Sequence, residues 1–118
     1  MWGLSFKPNT SDIREAPSLT VIQELLKEGA VVVVYDPIAM EEMQKIFPHA
    51  VQYASSLAES VQGSSAIIVL TEWDEFRHAP LHQLGKVMNE KVMFDGRNIY
   101  EPEMVREEGF EYYGVGRQ

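Results

Sequence analysis

Cysteine is absent from the 118 residues. That removes disulfides, thiolate metal sites and thiol nucleophiles together, and it fits a reducing compartment. Long apolar runs are also missing: residues 30–34 form one of the longest aliphatic stretches, far short of a membrane span. The N-terminus has neither a basic lead nor an extended apolar segment of the secretory type, so the chain reads as cytoplasmic. Positive charge is scarce, with ten Lys and Arg against eighteen Asp and Glu and a net charge of −8. Such a surface repels nucleic-acid backbones and anionic lipid. It leaves room for a small phosphorylated ligand, which two or three local cations can hold. Low-complexity tracts, internal repeats and linkers are lacking as well, and the hydrophobic share of 45% is that of an ordinary globular chain. The length suits one domain spanning residues 1–118.

What is present alternates between two periods. Residues 2–6 begin abruptly as a strand, which suggests a piece of a longer protein. Residues 7–12 have loop composition. Asp12 or Ser18 is placed to cap a helix carrying Leu19, Val21, Ile22, Leu25 and Leu26, and Gly29 ends it. Residues 30–35 are a continuous β-branched run of the kind found in strands covered on both faces. There follow a helix at 38–47, a strand at 50–53, a serine-capped helix at 55–62 and a strand at 66–70. A short helical stretch broken near Pro80, a helix at about 81–89, a strand at 92–94, a helix at 102–108 and an edge strand at 110–113 complete the chain. This order predicts a three-layer α/β/α fold with a mostly parallel, doubly wound, Rossmann-like sheet of about five to six strands. Ligands bind such sheets beyond the carboxyl ends of the strands, so the loops after Phe6, Tyr35, Leu70 and Phe94 carry the interest.

Phe6 and Lys7 leave the first strand together, seven residues before Arg14. An aromatic ring with two nearby cations suits a nucleotide, the ring packing on a base and the cations reaching phosphate or sugar oxygens. The same spacing is equally met by a core Phe6 with Lys7 and Arg14 in solvent. The turn Asp95-Gly96-Arg97-Asn98 can project Arg97 over the same edge, to bind a phosphate or to pair with a neighbouring acid. Trp73, in Thr71-Glu72-Trp73, either lines the crevice or closes the core. Asp36 stands where dinucleotide folds keep a ribose-binding acid, yet the first loop lacks G-x-G-x-x-G, which excludes a self-sufficient dinucleotide site. Asp36, Glu72, Asp74 and Glu75 are taken as structural or as supports behind the residues that touch a ligand. His78 and His82 stand four apart, but Pro80 lies between them and no third ligand is near, so no metal site is assigned.

These motifs occur in the order Gly3-Leu4-Ser5-Phe6-Lys7, T-S-D-I-R-E-A-P from Thr10, Tyr35-Asp36-Pro37, Thr71-Glu72-Trp73, Phe94-Asp95-Gly96-Arg97-Asn98 and Gly114-Val115-Gly116-Arg117. Together they resemble the C-terminal, UDP-binding domain of the UDP-glucose 6-dehydrogenases. The resemblance implies a parent enzyme that oxidises UDP-glucose to UDP-glucuronate with NAD, through a thioester on a cysteine this chain does not have. It implies that Phe6, Lys7 and Arg97 contact the UDP-sugar and that Arg14 approaches NAD. It further implies that the rest of NAD is held by an N-terminal domain, and that the full-length enzyme is a homodimer. No residue here is assigned to catalysis, and the fragment is expected to be inactive alone. Two positions depart from the family pattern: Ser11 stands where an acid is common, and Ala79-Pro80 replaces an acidic position. Related GDP-mannose and UDP-mannosamine-type dehydrogenases share the architecture, and a standalone α/β nucleotide-binding module is the remaining alternative. A receiver module is excluded by the missing acidic cluster, because the first strand ends in Phe-Lys and the second in a single Asp36.

Overall fold

The computed structural model describes residues 1–14 and 16–116. Helix α1 spans Pro17–Lys27, followed by β1 (Val33–Val34), α2 (Met40–Ile46), β2 (Gln52–Tyr53), α3 (Leu57–Val61) and β3 (Ile67–Val69). The second half contains α4 (Asp74–Arg77), α5 (Leu81–Gly85), β4 (Val92–Asp95), α6 (Pro102–Glu107) and β5 (Glu111–Gly114). All ladders are parallel: β1 pairs with β2, β3 with β4, and β4 with β5.

Trp2 joins the two groups of strands, bridging Tyr35 on one side and Val69 on the other. Four backbone bonds carry this seam: Trp2 N to Ile68 O at 2.7 Å, Leu70 N to Trp2 O, Gly3 N to Tyr35 O and Tyr35 N to Met1 O, each of the last three at 2.9 Å. Counting the Trp2 segment as the first strand, the spatial order is third, second, first, fourth, fifth, sixth. That is the doubly wound order, whose direction reverses between the Trp2 segment and β3. The expected fold class stands.

Two apolar clusters lie against the sheet. One gathers Trp2, Tyr35, Ile67, Val69 and Met93 with Leu57, Val61, Leu84 and Val105 from the helices. The other gathers Val32 and Val34 with Leu4, Ile13, Ile22 and Met43. The alternation of Val34 and Tyr35 between clusters reflects the two-residue period of a strand. Phe94 and Tyr113 face away from the first cluster; they stack with centroids 5.2 Å apart and stay exposed at 44% and 52%.

The expected strand at 2–6 is shorter in the structure, where only Trp2 is bridged. The cause is Gly3. Its φ is +94°, and a Cβ there would sit 2.4 Å from Thr71 Oγ1 and 2.7 Å from Thr71 N. Only glycine allows the chain to pass Thr71 this closely while turning out of the sheet. Neither expected cap closes the start of α1. Its N-cap is Ala16, with no side-chain bond, and Pro17 opens the helix, a position where its missing N–H costs nothing. Ser18 lies inside the helix, buried, donating to Leu4 O at 2.5 Å. The C-terminus behaves as read: Gly29, at φ +84°, donates to Leu26 O while Ala30 donates to Leu25 O, the paired bonds of a Schellman motif. Ser56 caps α3 by accepting from Glu59 N at 3.1 Å.

Candidate functional site

Beyond Gly3 the chain crosses the carboxyl edge of the sheet, and buried polar groups fasten its path. Asp36 is completely buried. Its Oδ2 accepts from Leu4 N at 2.8 Å, and its Oδ1 accepts from Ile38 N and Ala39 N at 2.8 and 2.7 Å. Both oxygens therefore serve the backbone. Asp36 ties the first loop to the entry of α2, in agreement with the structural role expected for it. Thr71 Oγ1 donates to Ser5 O at 2.6 Å, which locks the first loop against the end of β3 at the point where the strand order reverses. Tyr35 donates to Glu75 across the same edge at 2.9 and 3.0 Å. Burial first, and then Glu75, push its phenol up to about 12.

On this frame Phe6 is held outward and 46% exposed, so it is a surface ring and not core. With Lys7, Pro8, Thr10, Asp12 and Arg14 it lines a cleft of about 490 Å³, within the usual range for small-ligand sites. Among the described residues the Lys7 ammonium has no hydrogen-bond or ion-pair partner. Arg14 sits at the exposed rim, clasped by Asp12: its Nε and Nη2 donate to Oδ1 and Oδ2 at 3.1 and 3.0 Å. Hydrogen bonds from the Arg14 side chain, and then from its backbone N–H, hold the Asp12 carboxyl at about 2, below the usual 3.8.

Arg97 arrives from the loop after β4. Asp95, 1% exposed, shapes that loop by accepting from Arg97 N at 3.2 Å, Tyr100 N at 3.0 Å and the Tyr112 hydroxyl at 2.8 Å. Gly96 is needed where the turn crosses β3, since a Cβ would meet Val69 O and Leu70 Cδ2 at 3.0 Å. Asn98, at φ +53°, pairs twice with the Val115 backbone at 2.8 and 2.9 Å and so anchors the segment after β5. Of the Gly114-Val115-Gly116-Arg117 motif, Arg117 lies outside the described residues.

The guanidinium of Arg97 lies over the Phe6 ring, 5.2 Å from its centroid. Two loops ninety residues apart in sequence thus meet at one ring and one cation. Glu72 completes the group, its Oε1 accepting from Arg97 Nε at 3.2 Å and Nη2 at 2.5 Å. Of the alternatives the sequence left open for Arg97, the structure shows the pairing with an acid, one delivered by the end of β3 and not by its own turn. The doubly wound order was the available signal for that meeting, because it sets the loops after β3 and β4 side by side. Trp73 packs on the first cluster while its buried Nε1 lacks a hydrogen-bond partner among the described residues. The structure brings Phe6, Lys7 and Arg14 to one cleft and Arg97 onto Phe6.

Comparison with known proteins bears on the family and the fold. The sequence model described as UDP-glucose/GDP-mannose dehydrogenase family, UDP binding domain, matches residues 1–102. The UDP-glucose 6-dehydrogenase YwqF of Bacillus subtilis is 42% identical over 116 residues, covering 98% of this chain and 26% of the relative. The UDP-glucose 6-dehydrogenase of Pseudomonas aeruginosa is 39% identical, covering 99% of this chain and 27% of the relative. This chain therefore spans about a quarter of the length of the curated relatives it matches. Among solved structures, an NDP-N-acetyl-D-galactosaminuronic acid dehydrogenase from Methanosarcina mazei Go1 superposes with a TM-score of 0.85 at 32% identity, over 100% of this chain and 24% of that one. A UDP-glucose dehydrogenase from Pyrobaculum islandicum superposes with a TM-score of 0.81 at 31% identity, over 99% and 24% respectively. The match over most of the sequence, and the shared fold over nearly all of it, establish that the chain belongs to the UDP-glucose/GDP-mannose dehydrogenase family, as its UDP binding domain.

Proposed function

We propose that this chain is the nucleotide-holding part of an NAD-dependent UDP-glucose 6-dehydrogenase, in which Phe6, Lys7 and Arg97 grip the UDP-sugar and Arg14 approaches NAD. The observation that carries the reading is the Arg97 guanidinium lying over the Phe6 ring, 5.2 Å from its centroid, at the reversal point where doubly wound sheets bind ligands. A guanidinium supplies a planar fork suited to phosphate oxygens, and an ammonium supplies a compact point charge. Arg97 then holds the diphosphate, the Phe6 ring supports its plane, and Lys7 reaches a phosphate or sugar oxygen from the adjoining cleft. Local cations do this inside a chain of net charge −8.

NAD fits this chain only at its edge. The first loop has no G-x-G-x-x-G, and its backbone N–H of Leu4 is spent on Asp36, so Arg14 at the cleft rim is the contact this chain contributes. NAD, when bound, accepts the hydride, and the remaining sites belong to other parts of a longer, homodimeric, cytoplasmic enzyme. Residues 1–118 act as one domain whose task is to position the nucleotide handle.

Titration with UDP tests this reading. Calorimetry should register saturable heat, with amide perturbations at Lys7 and Arg97, and Arg97→Ala should weaken binding by about tenfold or more, the usual cost of losing a charge-assisted bond. Absence of heat and of amide changes at millimolar UDP would sink it.

A further inference from the structure

Glu72 is bonded in a way that a merely structural acid would not need. A carboxylate facing a guanidinium at its best uses both oxygens in two parallel bonds. Here a single oxygen, Oε1, takes both Arg97 donors, while Oε2 lies 3.8 Å from Arg77 Nη2. Arg77 is itself loosely engaged, its nearest other acid being Asp74 at 4.0 Å. The side chains of Glu72, Arg77 and Arg97 are 38%, 43% and 26% exposed, so none is trapped by the core. The backbone around Glu72 is fixed, by contrast. Thr71 is pinned to Ser5, and Trp73 O accepts from Phe76 N at 3.1 Å at the start of α4. The partly exposed Glu72 side chain lies between two arginines on this fixed backbone.

We propose that Glu72 is an internal stand-in for the ligand's phosphate, occupying the Nε and Nη2 edge of Arg97 until a nucleoside diphosphate displaces it onto Arg77. This rests on the reading that Arg97 takes the diphosphate. The edge Glu72 occupies is one of the two a phosphate can grip bidentately. Phosphate brings the second oxygen that Glu72 does not offer, and the Phe6 ring keeps the guanidinium plane in place during the exchange. Each arginine keeps an anionic partner in both states. Without ligand, one carboxylate serves two arginines; with ligand, the phosphate serves Arg97 and the carboxylate serves Arg77. Glu72 is thus a positioning residue that stores Arg97 in its binding orientation and lowers the affinity for any anion unable to compete with a carboxylate.

The test is a mutant cycle read by calorimetry with UDP and with inorganic pyrophosphate. Glu72→Gln should bind both more tightly, by roughly tenfold, the scale of one charge-assisted bond no longer broken. Arg77→Ala should weaken binding several-fold in the parent chain and have no effect in the Glu72→Gln background. A structural role for either residue would not produce that coupling. In parallel, the Arg97 Nε–H resonance should move on Glu72→Gln without ligand and again on adding UDP to the parent chain. Equal or weaker binding by Glu72→Gln, or an Arg77→Ala effect of the same size in both backgrounds, overturns the proposal while leaving UDP binding intact. If neither the parent chain nor Glu72→Gln responds to UDP, the UDP reading and the exchange fall together. An Arg97 resonance that still moves on Glu72→Gln would then report the ion pair alone.

Discussion

Phe6, Lys7 and Arg97 were legible as single residues because each stands at or just past a strand end, yet their three-dimensional relations were legible to very different degrees. That Phe6 and Lys7 share a loop is a matter of adjacency. That Phe6 is exposed beneath Arg97 depends on Gly3 turning the chain out of the sheet. Arg14 illustrates the opposite limit: its nearest partner, Asp12, is two residues away, and the pair is a local turn in which Arg14 N also donates to Asp12 Oδ1 at 2.9 Å. This pair makes a pH prediction. The folded Asp12 value of about 2 lies below the usual 3.8, so the contact contributes in full above the unfolded value and is lost as pH falls through the folded one. A carboxyl-carbon NMR titration should give a midpoint near 2 for Asp12, rising toward the ordinary carboxylate range in Arg14→Ala. A parent midpoint already in that range would show that the clasp does not form in solution.

At the scale of elements, the periodic pattern located the helices and strands but overestimated the length of most, while β4 runs one residue past the strand read at 92–94 and β5 is shifted by one from 110–113. The helix read at 81–89 ends at Gly85, and the strand read at 30–35 is a ladder only at Val33–Val34 plus the Tyr35 bridge. Apolar periodicity marks what is buried, and buried residues extend past the last ladder bond. The expectation that the strand at 30–35 is covered on both faces holds at Val34 and Tyr35, buried in different clusters, and fails at Val31, which is 81% exposed; Phe94 and Tyr113, farther along the sheet, are exposed as well. The sheet grows outward from β3 through β4 to β5, and right-handed crossovers along that half put α5 and α6 on one face. The junction of the Trp2 segment with the first loop is the most constrained place in the fold. Gly3→Ala should destabilise the chain by about 3 kcal/mol, combining left-handed strain with a clash against backbone. Gly63→Ala, at φ +71° with nothing within 4 Å of the added carbon, should cost about 1 kcal/mol. Urea unfolding midpoints compare the two directly, and equal losses would contradict the close approach of Gly3 to Thr71.

For the molecule as a whole, the radius of gyration of 13.3 Å matches the roughly 13 Å expected of one compact domain of this length. Among the described residues the β1–β2 and β3–β4–β5 groups have no ladder between them except through Trp2, whose indole also donates to Ser60 Oγ at 2.9 Å and stacks on Phe76 at 5.5 Å. One side chain therefore couples both halves of the sheet to α3 and α4. Thermal unfolding followed by far-ultraviolet dichroism and by tryptophan fluorescence should coincide in a single transition; separate transitions would divide the chain at the Trp2 seam. By itself the sequence determined the class of fold, the loops that carry the site and the family, because strand and helix periods, turn residues and ordered motifs are local properties. Only the tertiary structure decided that Asp36 and Asp95 are spent on backbone and hydroxyl donors, that Phe6 is a surface ring, and that Glu72 pairs with Arg97. Each of those depends on which strand ends become neighbours, and in a doubly wound sheet neighbours across the reversal point are distant in the chain.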